Sequence, residues 1–125
     1  MSKRKPDRSF GHVLREARVA KGFSLRKFAQ MIGVSPTYLS QVEQENVDPP
    51  TADRVQTIAE LLGENVDEWT ALAGRLTEDL PDIIRSSPTE VPDLLRAVRG
   101  LTPEQLRTLT AQAEQLQKQG KSREK

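Results

Sequence analysis

Apolar residues recur at helical spacing through the first 73 residues of the chain. They lie three or four positions apart, as in Phe10, Val13, Leu14 and Ala17, and polar stretches separate the groups. The pattern predicts five helices, at residues 10–21, 25–32, from 36 to the turn at 46–50, 52–62 and 66–73. A capping residue precedes each of the first four, namely Ser9, Ser24, Ser35 and Thr51.

Beyond Gly74 the prolines at positions 81, 88, 92 and 103 divide the chain into short pieces. Residues 87–90, Ser-Pro-Thr-Glu, have the form of a capping box with proline at the first helical position, which predicts a helix to about Arg99. Residues 102–105, Thr-Pro-Glu-Gln, repeat that signal for a last helix to about Gln119. No segment has the alternation of a strand, so the fold class is all-α.

These elements divide the chain into four parts. Residues 1–8 form a flexible basic arm, residues 9–74 the five-helix domain, residues 75–119 a helical C-terminal region, and residues 120–125 a flexible tail. A length of 125 residues suits one compact domain with a small appendage.

The chain is nearly neutral, with 19 Lys and Arg against 18 Asp and Glu, but its charges are unevenly distributed. Residues 1–27 have a net charge of +7, residues 28–95 of −10 and residues 96–125 of +4. A basic N-terminal third indicates an anionic partner such as nucleic acid. A basic tail that only keeps the protein in solution explains the same charge equally well.

Composition excludes several classes of protein. The chain has no cysteine and a single histidine, His12, so we expect no disulfide, no metal site and no bound cofactor. No stretch approaches about 18 apolar residues and no signal peptide is visible, which indicates a cytoplasmic protein without a membrane span. The sequence contains no phosphate loop and no nucleophile elbow, and its carboxylates are scattered, so we do not expect an enzyme.

Residues 24–44, SLRKFAQMIGVSPTYLSQVEQ, predict two short helices joined by a glycine turn at Gly33. Ala29 is small where the helices must approach each other, and Leu39 and Val42 face inward from the second helix. This is the arrangement of a helix-turn-helix, whose second helix stands out to enter a DNA major groove. The outward residues of that helix are mostly polar and uncharged, as base reading requires. They are Pro36, Thr37, Tyr38, Gln41 and Gln44.

With these residues in this order, the segment from Phe10 to about Gly74 resembles the DNA-binding domain of the phage-repressor-like (XRE, or Cro/C1-type) family of transcriptional regulators. The resemblance covers about half of the chain. It implies a five-helix, lambda-repressor-like domain, followed here by a short helical extension. The matching residues are Leu14, Arg15, Arg18, Gly22, 24–29, 33–35, 38–40, Val42, Glu43, Pro50, Ile58 and Ala59.

The resemblance also implies roles for individual residues. The base-contact positions of the family are occupied here by Pro36, Thr37 and Gln41, with Tyr38 close by. A glutamine such as Gln41 can form two hydrogen bonds with adenine. The phosphate-contact positions, at the start of the first motif helix, hold Ser24, Arg26 and Lys27, and Ser40 and Asn46 are further candidates. In relatives the residue at Glu43 pairs with an arginine on the first helix, which predicts a partly buried Arg18–Glu43 ion pair.

Two features depart from the family pattern. Relatives often have a phosphate-binding glutamine where this chain has Leu25. Their loop after the recognition helix often contains basic residues, whereas residues 45–49 here contain two acids and no base. The arm at residues 1–8 could supply the missing backbone contacts, or it could be a solvated tail.

The C-terminal region is predicted to form a dimer. Its two helices carry an apolar face that is too large for a two-helix unit to bury by itself. The predicted dimerisation residues are Leu94, Leu95, Val98, Leu101, Leu106, Leu109 and Leu116. The alternative is that these helices fold back on their own subunit.

These observations predict a dimeric, sequence-specific regulator of transcription, more specifically a repressor, that binds double-stranded DNA at an inverted repeat in the nucleoid. One alternative is the antitoxin of a toxin–antitoxin pair, and another is a protein adaptor that has lost DNA binding. The resemblance also allows control by a partner protein, such as a protease or a toxin.

Overall fold

A computed structural model describes the backbone of residues 9–123 and the side chains of residues 9–120. The predicted arm at residues 1–8 lies outside the described residues, as do the side chains of most of the predicted tail. The described part contains eight helices and no strand, as the predicted all-α fold class requires. These are α1 (Phe10–Ala20), α2 (Leu25–Ile32), α3 (Pro36–Glu43), α4 (Ala52–Leu62), α5 (Val66–Leu72), α6 (Asp79–Ser86), α7 (Glu90–Ala97) and α8 (Pro103–Arg123).

The chain divides into two compact units, one that ends at Asp82 and one that begins at Ile83. The apolar faces of α1 to α5 form the core of the first unit. Their buried residues recur three or four positions apart along each helix, as the sequence pattern predicted. Phe10 and Trp69 meet edge to face, with ring centroids 5.9 Å apart. The buried apolar residues are Phe10, Leu14, Phe28, Ala29, Ile32, Leu39, Val42, Val55, Ile58, Ala59, Leu62, Trp69 and Ala73.

The helix starts follow local chemistry. The hydroxyls of Ser9, Ser24 and Ser35 accept hydrogen bonds from the first turns of α1, α2 and α3. At the start of α8 the capping box is reciprocal: Gln105 N–H donates to Thr102 Oγ1 at 3.1 Å and Thr102 N–H donates to Gln105 Oε1 at 3.0 Å. Thr51 stands at the start of α4, but its side chain makes no capping hydrogen bond.

Two helices differ from the sequence prediction because of their prolines. The sequence predicted no helix at residues 79–86, yet α6 lies there with Pro81 as its third residue. A helix was predicted from Pro88, but α7 begins at Glu90, which makes Pro92 its third residue. Proline is tolerated in a first turn, whereas a helix from Pro88 would bring the Pro92 ring against the Pro88 carbonyl. The last helix continues to Arg123, beyond the end expected near Gln119.

Candidate nucleic-acid interface

The turn between α2 and α3 sets the direction of α3, which buries one side in the core and leaves its first residues exposed. Gly33 ends α2 in the left-handed region at φ 75°, where glycine has no steric cost. The Ser35 hydroxyl then accepts from the Tyr38 N–H at 3.0 Å, and Pro36 is the first residue of α3. Ala29, the small residue of α2, is completely buried in the core of the first unit. Residues 25–43 thus form a helix-turn-helix.

The base-reading residues predicted from the sequence differ in exposure. Pro36, Thr37 and Gln44 are exposed, and Gln41 is half-buried. Tyr38 is also half-buried, because its ring packs against the apolar core of the first unit. Thr37 and Gln41 are one helical turn apart, which places them on the same side of α3.

At the end of α3, predicted DNA-contacting side chains bind one another. The Gln44 Nε2 donates to Ser40 Oγ at 2.7 Å, and Asn46 Nδ2 lies 3.4 Å from Gln44 Oε1. Gln44 is also the C-terminal capping residue of α3, rather than part of the helix. All three side chains are reached by solvent. If Gln44 contacted DNA, it would have to break its hydrogen bonds with Ser40 and Asn46 and replace them with hydrogen bonds to the DNA.

The start of α2 has the form of an anion site. Ser24 Oγ accepts from the Lys27 N–H at 3.0 Å, and the side chains of Arg26 and Lys27 are exposed. No acidic residue occupies the first turn of α2, so the positive end of the helix dipole is not compensated locally. Leu25, which replaces the glutamine of relatives, packs against the core instead of facing solvent.

Arg18 of α1 and Glu43 of α3 form a bidentate ion pair. Arg18 Nε donates to Glu43 Oε2 at 2.7 Å and Nη2 donates to Oε1 at 3.0 Å, while Nη1 donates to the Phe23 carbonyl at 2.9 Å. The two residues are only 7% and 8% exposed. Bidentate geometry fixes both the distance and the plane of the two groups, so α3 is held to α1 in one orientation. The acid on α3 therefore points into the protein and away from the exposed face.

The loop after α3 is held at both ends by contacts that the sequence did not predict. Glu45, at φ 66°, accepts from the Gly11 N–H of α1 at 2.5 Å. At the other end, Arg75 Nη2 donates to the Pro49 carbonyl at 2.6 Å and Nε donates to the Pro50 carbonyl at 2.9 Å. One of the two loop acids that looked unfavourable for DNA binding is thus engaged with α1. The sequence contains one sign of this contact, because a glycine inside a helix, here Gly11, often marks a close approach of another part of the backbone.

The second unit has an open apolar groove between α7 and α8. α7 has no buried residue, and Leu94, Leu95 and Leu116 are 56%, 52% and 67% exposed. Leu101, also predicted to dimerise, is half-buried in the connection between the helices and does not line the groove. The lining residues are Leu94, Leu95, Val98, Leu106, Leu109, Thr110, Gln112, Ala113 and Leu116.

The described residues offer no metal site and no membrane span. In that range no group of three or more histidine, aspartate and glutamate side chains is arranged to hold a metal ion. None of the helices between residues 9 and 123 combines the length and apolar character needed to cross a membrane. On the partly exposed side of α1, the Nε2 atom of His12 lies 3.1 Å from the Oε2 atom of Glu16.

Of the comparisons with known proteins, the match to a family model agrees with the geometry of the first unit. Residues 14–69 match the family model described as helix-turn-helix. No curated protein sequence matches the chain. Among solved structures, one described as a complex of the SinR and SinI proteins aligns at 23% identity and a TM-score of 0.45, covering 87% of this chain and 98% of the other. A TM-score this low does not define a common fold.

Residues 14–69 form a helix-turn-helix domain, the class of domain that binds DNA in transcriptional regulators. Over this segment the match agrees with the resemblance to the phage-repressor-like (XRE) family and with the lambda-repressor-like, all-α fold class predicted from the sequence. The matched segment contains the whole of α2, α3 and α4 and both members of the Arg18–Glu43 pair. Gly11 and Arg75, which hold the loop after α3, lie outside it.

Proposed function

We propose that the protein is a dimeric repressor that binds an inverted-repeat operator through α3. The observation that carries the proposal is the Arg18–Glu43 pair, which turns the only acid of α3 inward and fixes the helix against α1. The face left to solvent offers Thr37 and Gln41, which can read base edges. The proposal also makes this a nucleoid-associated, cytoplasmic protein.

The phosphate contacts in this proposal come from the start of α2 and the end of α3. Arg26 and Lys27 supply exposed positive charge beside the free N–H groups of the α2 N-terminus. Ser24, Ser40 and Asn46 add neutral hydrogen-bonding groups. These contacts orient the domain on the duplex, whereas Pro36, Thr37, Tyr38, Gln41 and Gln44 give the sequence preference.

The groove between α7 and α8 provides the dimer in this proposal. A two-helix unit with no buried residue on α7 leaves its leucines in water unless a second copy covers them. A two-fold axis through this contact would present two α3 helices to two half-sites related by the same symmetry. A protein partner seated in the groove is the competing outcome, as the antitoxin interpretation requires.

Selection of bound duplexes from a random library at near-physiological salt tests the function. We expect an inverted repeat with half-site centres about 10 base pairs apart. A double variant, Arg26→Ala with Lys27→Ala, should weaken binding to every sequence and reduce the salt slope by about 1 for each phosphate that is no longer neutralised. Arg99→Ala with Arg107→Ala removes the same charge from exposed residues of the second unit and should change neither quantity.

Either of two results contradicts the proposal. One is a folded protein that enriches no sequence, and the other is a control variant that loses as much affinity as the α2 variant. In the second case binding reflects total charge and not a site on α2. A library enriched only when a cell extract is added would favour the partner-dependent alternative.

A further inference from the structure

Glu45 lies at the N-terminus of α1, 34 residues away along the chain. Its carboxylate accepts the Gly11 N–H, one of the first-turn donors that has no partner within a helix. The first turn of α1 contains no acidic residue of its own, so Glu45 supplies the negative charge that the positive end of this helix favours. Ser9 caps the same helix through a longer contact, 3.4 Å from its hydroxyl to the His12 nitrogen.

The backbone of α1 approaches the end of α3 closely at Gly11. A Cβ atom at position 11 would lie 2.5 Å from the Val42 carbonyl oxygen and 2.7 Å from the Glu43 carbonyl oxygen, and it would also meet the Glu45 carboxylate. Real side chains do not tolerate such distances, so only glycine fits here. The carbonyls at the negative end of α3 therefore face the positive end of α1.

Glu45 adopts φ 66°, and no other residue except glycine has a positive φ in the described part of the chain. A side chain in this region costs roughly 1–2 kcal/mol, which its surroundings must offset. Two backbone hydrogen bonds at the end of α3 hold this conformation, from the Glu45 N–H to the Val42 carbonyl at 3.1 Å and from the Asn46 N–H to the Gln41 carbonyl at 2.9 Å. The hydrogen bond between the Glu45 carboxylate and the Gly11 N–H adds to them and is the one that joins this end of α3 to α1. Arg75 fixes the same loop at Pro49 and Pro50, so the loop cannot relax freely when the Glu45 carboxylate is removed.

We infer that Glu45 is a positioning residue that determines DNA specificity by fixing the C-terminal end of α3 against α1. This inference rests on the proposed function, because it assigns Glu45 to the reading of a site by α3. Arg18 and Glu43 hold the same end of α3 through side chains, and Glu45 holds it through the backbone of α1. α3 has only eight residues, so a small displacement of this end moves its base-reading side chains.

A positioning role and a simple electrostatic role predict opposite signs. If Glu45 only places negative charge near DNA, its removal reduces repulsion and tightens binding to every sequence. If Glu45 positions α3, its removal weakens binding to the selected site and leaves binding to unrelated DNA unchanged or stronger. The ratio of the two affinities therefore separates the two roles.

The experiment compares three variants of the full chain. Glu45→Ala removes the acceptor and the charge, and Glu45→Gln keeps an acceptor oxygen without the charge. Asp48→Ala is the matched control, because it removes one exposed acid from the same loop. Affinity is measured for the duplex that wild type selects and for an unrelated duplex, and backbone amide resonances are recorded without DNA. If circular dichroism shows Glu45→Ala unfolded, Glu45→Gly replaces it, because glycine adopts the positive φ without strain.

We expect Glu45→Ala to bind the selected site about tenfold more weakly, as the loss of a hydrogen bond to a charged group would give, with less than about a twofold change on unrelated DNA. Glu45→Gln should restore most of the loss. Without DNA, Glu45→Ala should shift the amide resonances of Gly11 and of α3, whereas Asp48→Ala should shift only its neighbours.

A Glu45→Ala variant that matches Asp48→Ala on both duplexes overturns the inference and leaves the proposed function intact. If wild type selects no sequence, the proposed function fails. The amide resonances then decide alone whether Glu45 fixes α3, and unshifted α3 resonances overturn the inference.

Discussion

Two hydrogen bonds, of 2.7 and 3.0 Å, join the guanidinium of Arg18 to the two carboxylate oxygens of Glu43. A third hydrogen bond runs from Arg18 to the Phe23 carbonyl, in the turn before α2. This one pair consequently joins α1, the entry to the helix-turn-helix and the end of α3. These three hydrogen bonds offset the cost of burying the two charges. They form only when α1, the turn before α2 and the end of α3 are all in place.

Removal of either partner should leave the other charge buried without compensation. We expect Arg18→Ala and Glu43→Ala each to lower the free energy of unfolding by ~3–5 kcal/mol. Urea denaturation of the full chain measures the change. The matched control is Arg96→Ala, which breaks the exposed Arg96–Asp93 pair and should cost less than about 1 kcal/mol. Equal losses for the buried and exposed pairs would show that burial of the first pair has no energetic consequence.

Two helical glycines should respond to alanine with opposite signs. Gly11→Ala inserts a Cβ against the Val42 and Glu43 carbonyls and should lower the free energy of unfolding by about 1–3 kcal/mol, as in an overpacked core. Gly120→Ala, in α8, meets nothing within 4 Å and should stabilise its helix by about 0.5–1 kcal/mol. Thermal unfolding followed by circular dichroism at 222 nm measures both. A tolerated Gly11→Ala would contradict the close approach of α1 and α3.

Gln41 and Gln44 should contribute differently to DNA specificity. Gln41 is half-buried on α3 with no competing hydrogen bond among the described residues, whereas Gln44 already donates to Ser40. We expect Gln41→Ala to relax the preference at one base position by roughly 1–3 kcal/mol and Gln44→Ala to have a smaller effect. Repeated library selection measures this preference. Gln56→Ala, an exposed glutamine of α4, is the matched control. A uniform loss of affinity without a change of preferred base would exclude base reading by Gln41.

The sequence predicted the first five helices because their signals are local. The apolar spacing sets the buried face, and residues such as Ser24 and Gly33 act on the few positions beside them. The same local signals gave a wrong start for α7. Pro88 was interpreted as the first residue of this helix, but Pro92 can lie only in its first turn, so the helix begins at Glu90.

The contacts around the loop after α3 could not be predicted in this way. Glu45 and Gly11 are 34 residues apart, and Arg75 reaches back over 25 residues to Pro50. No periodicity connects such positions. The positive φ of Glu45 was equally hidden, because glutamate is not a residue type that favours the left-handed region. The Arg18–Glu43 pair was expected only because family resemblance supplied the partner.

The groove between α7 and α8 should control the oligomeric state. Leu95 lines the groove and is 52% exposed, so glutamate at this position places a charge in the proposed interface without disturbing a buried core. We expect Leu95→Glu to convert a dimer into a monomer in sedimentation equilibrium and to weaken binding to a two-half-site duplex. Its affinity for a single half-site should stay close to that of wild type, because the helix-turn-helix is unchanged. Leu61→Glu, at a 39% exposed leucine of α4, is the matched control and should stay dimeric. A wild-type chain that is monomeric at all concentrations would reject the second copy as the occupant of the groove. That result would leave a partner protein to cover its leucines.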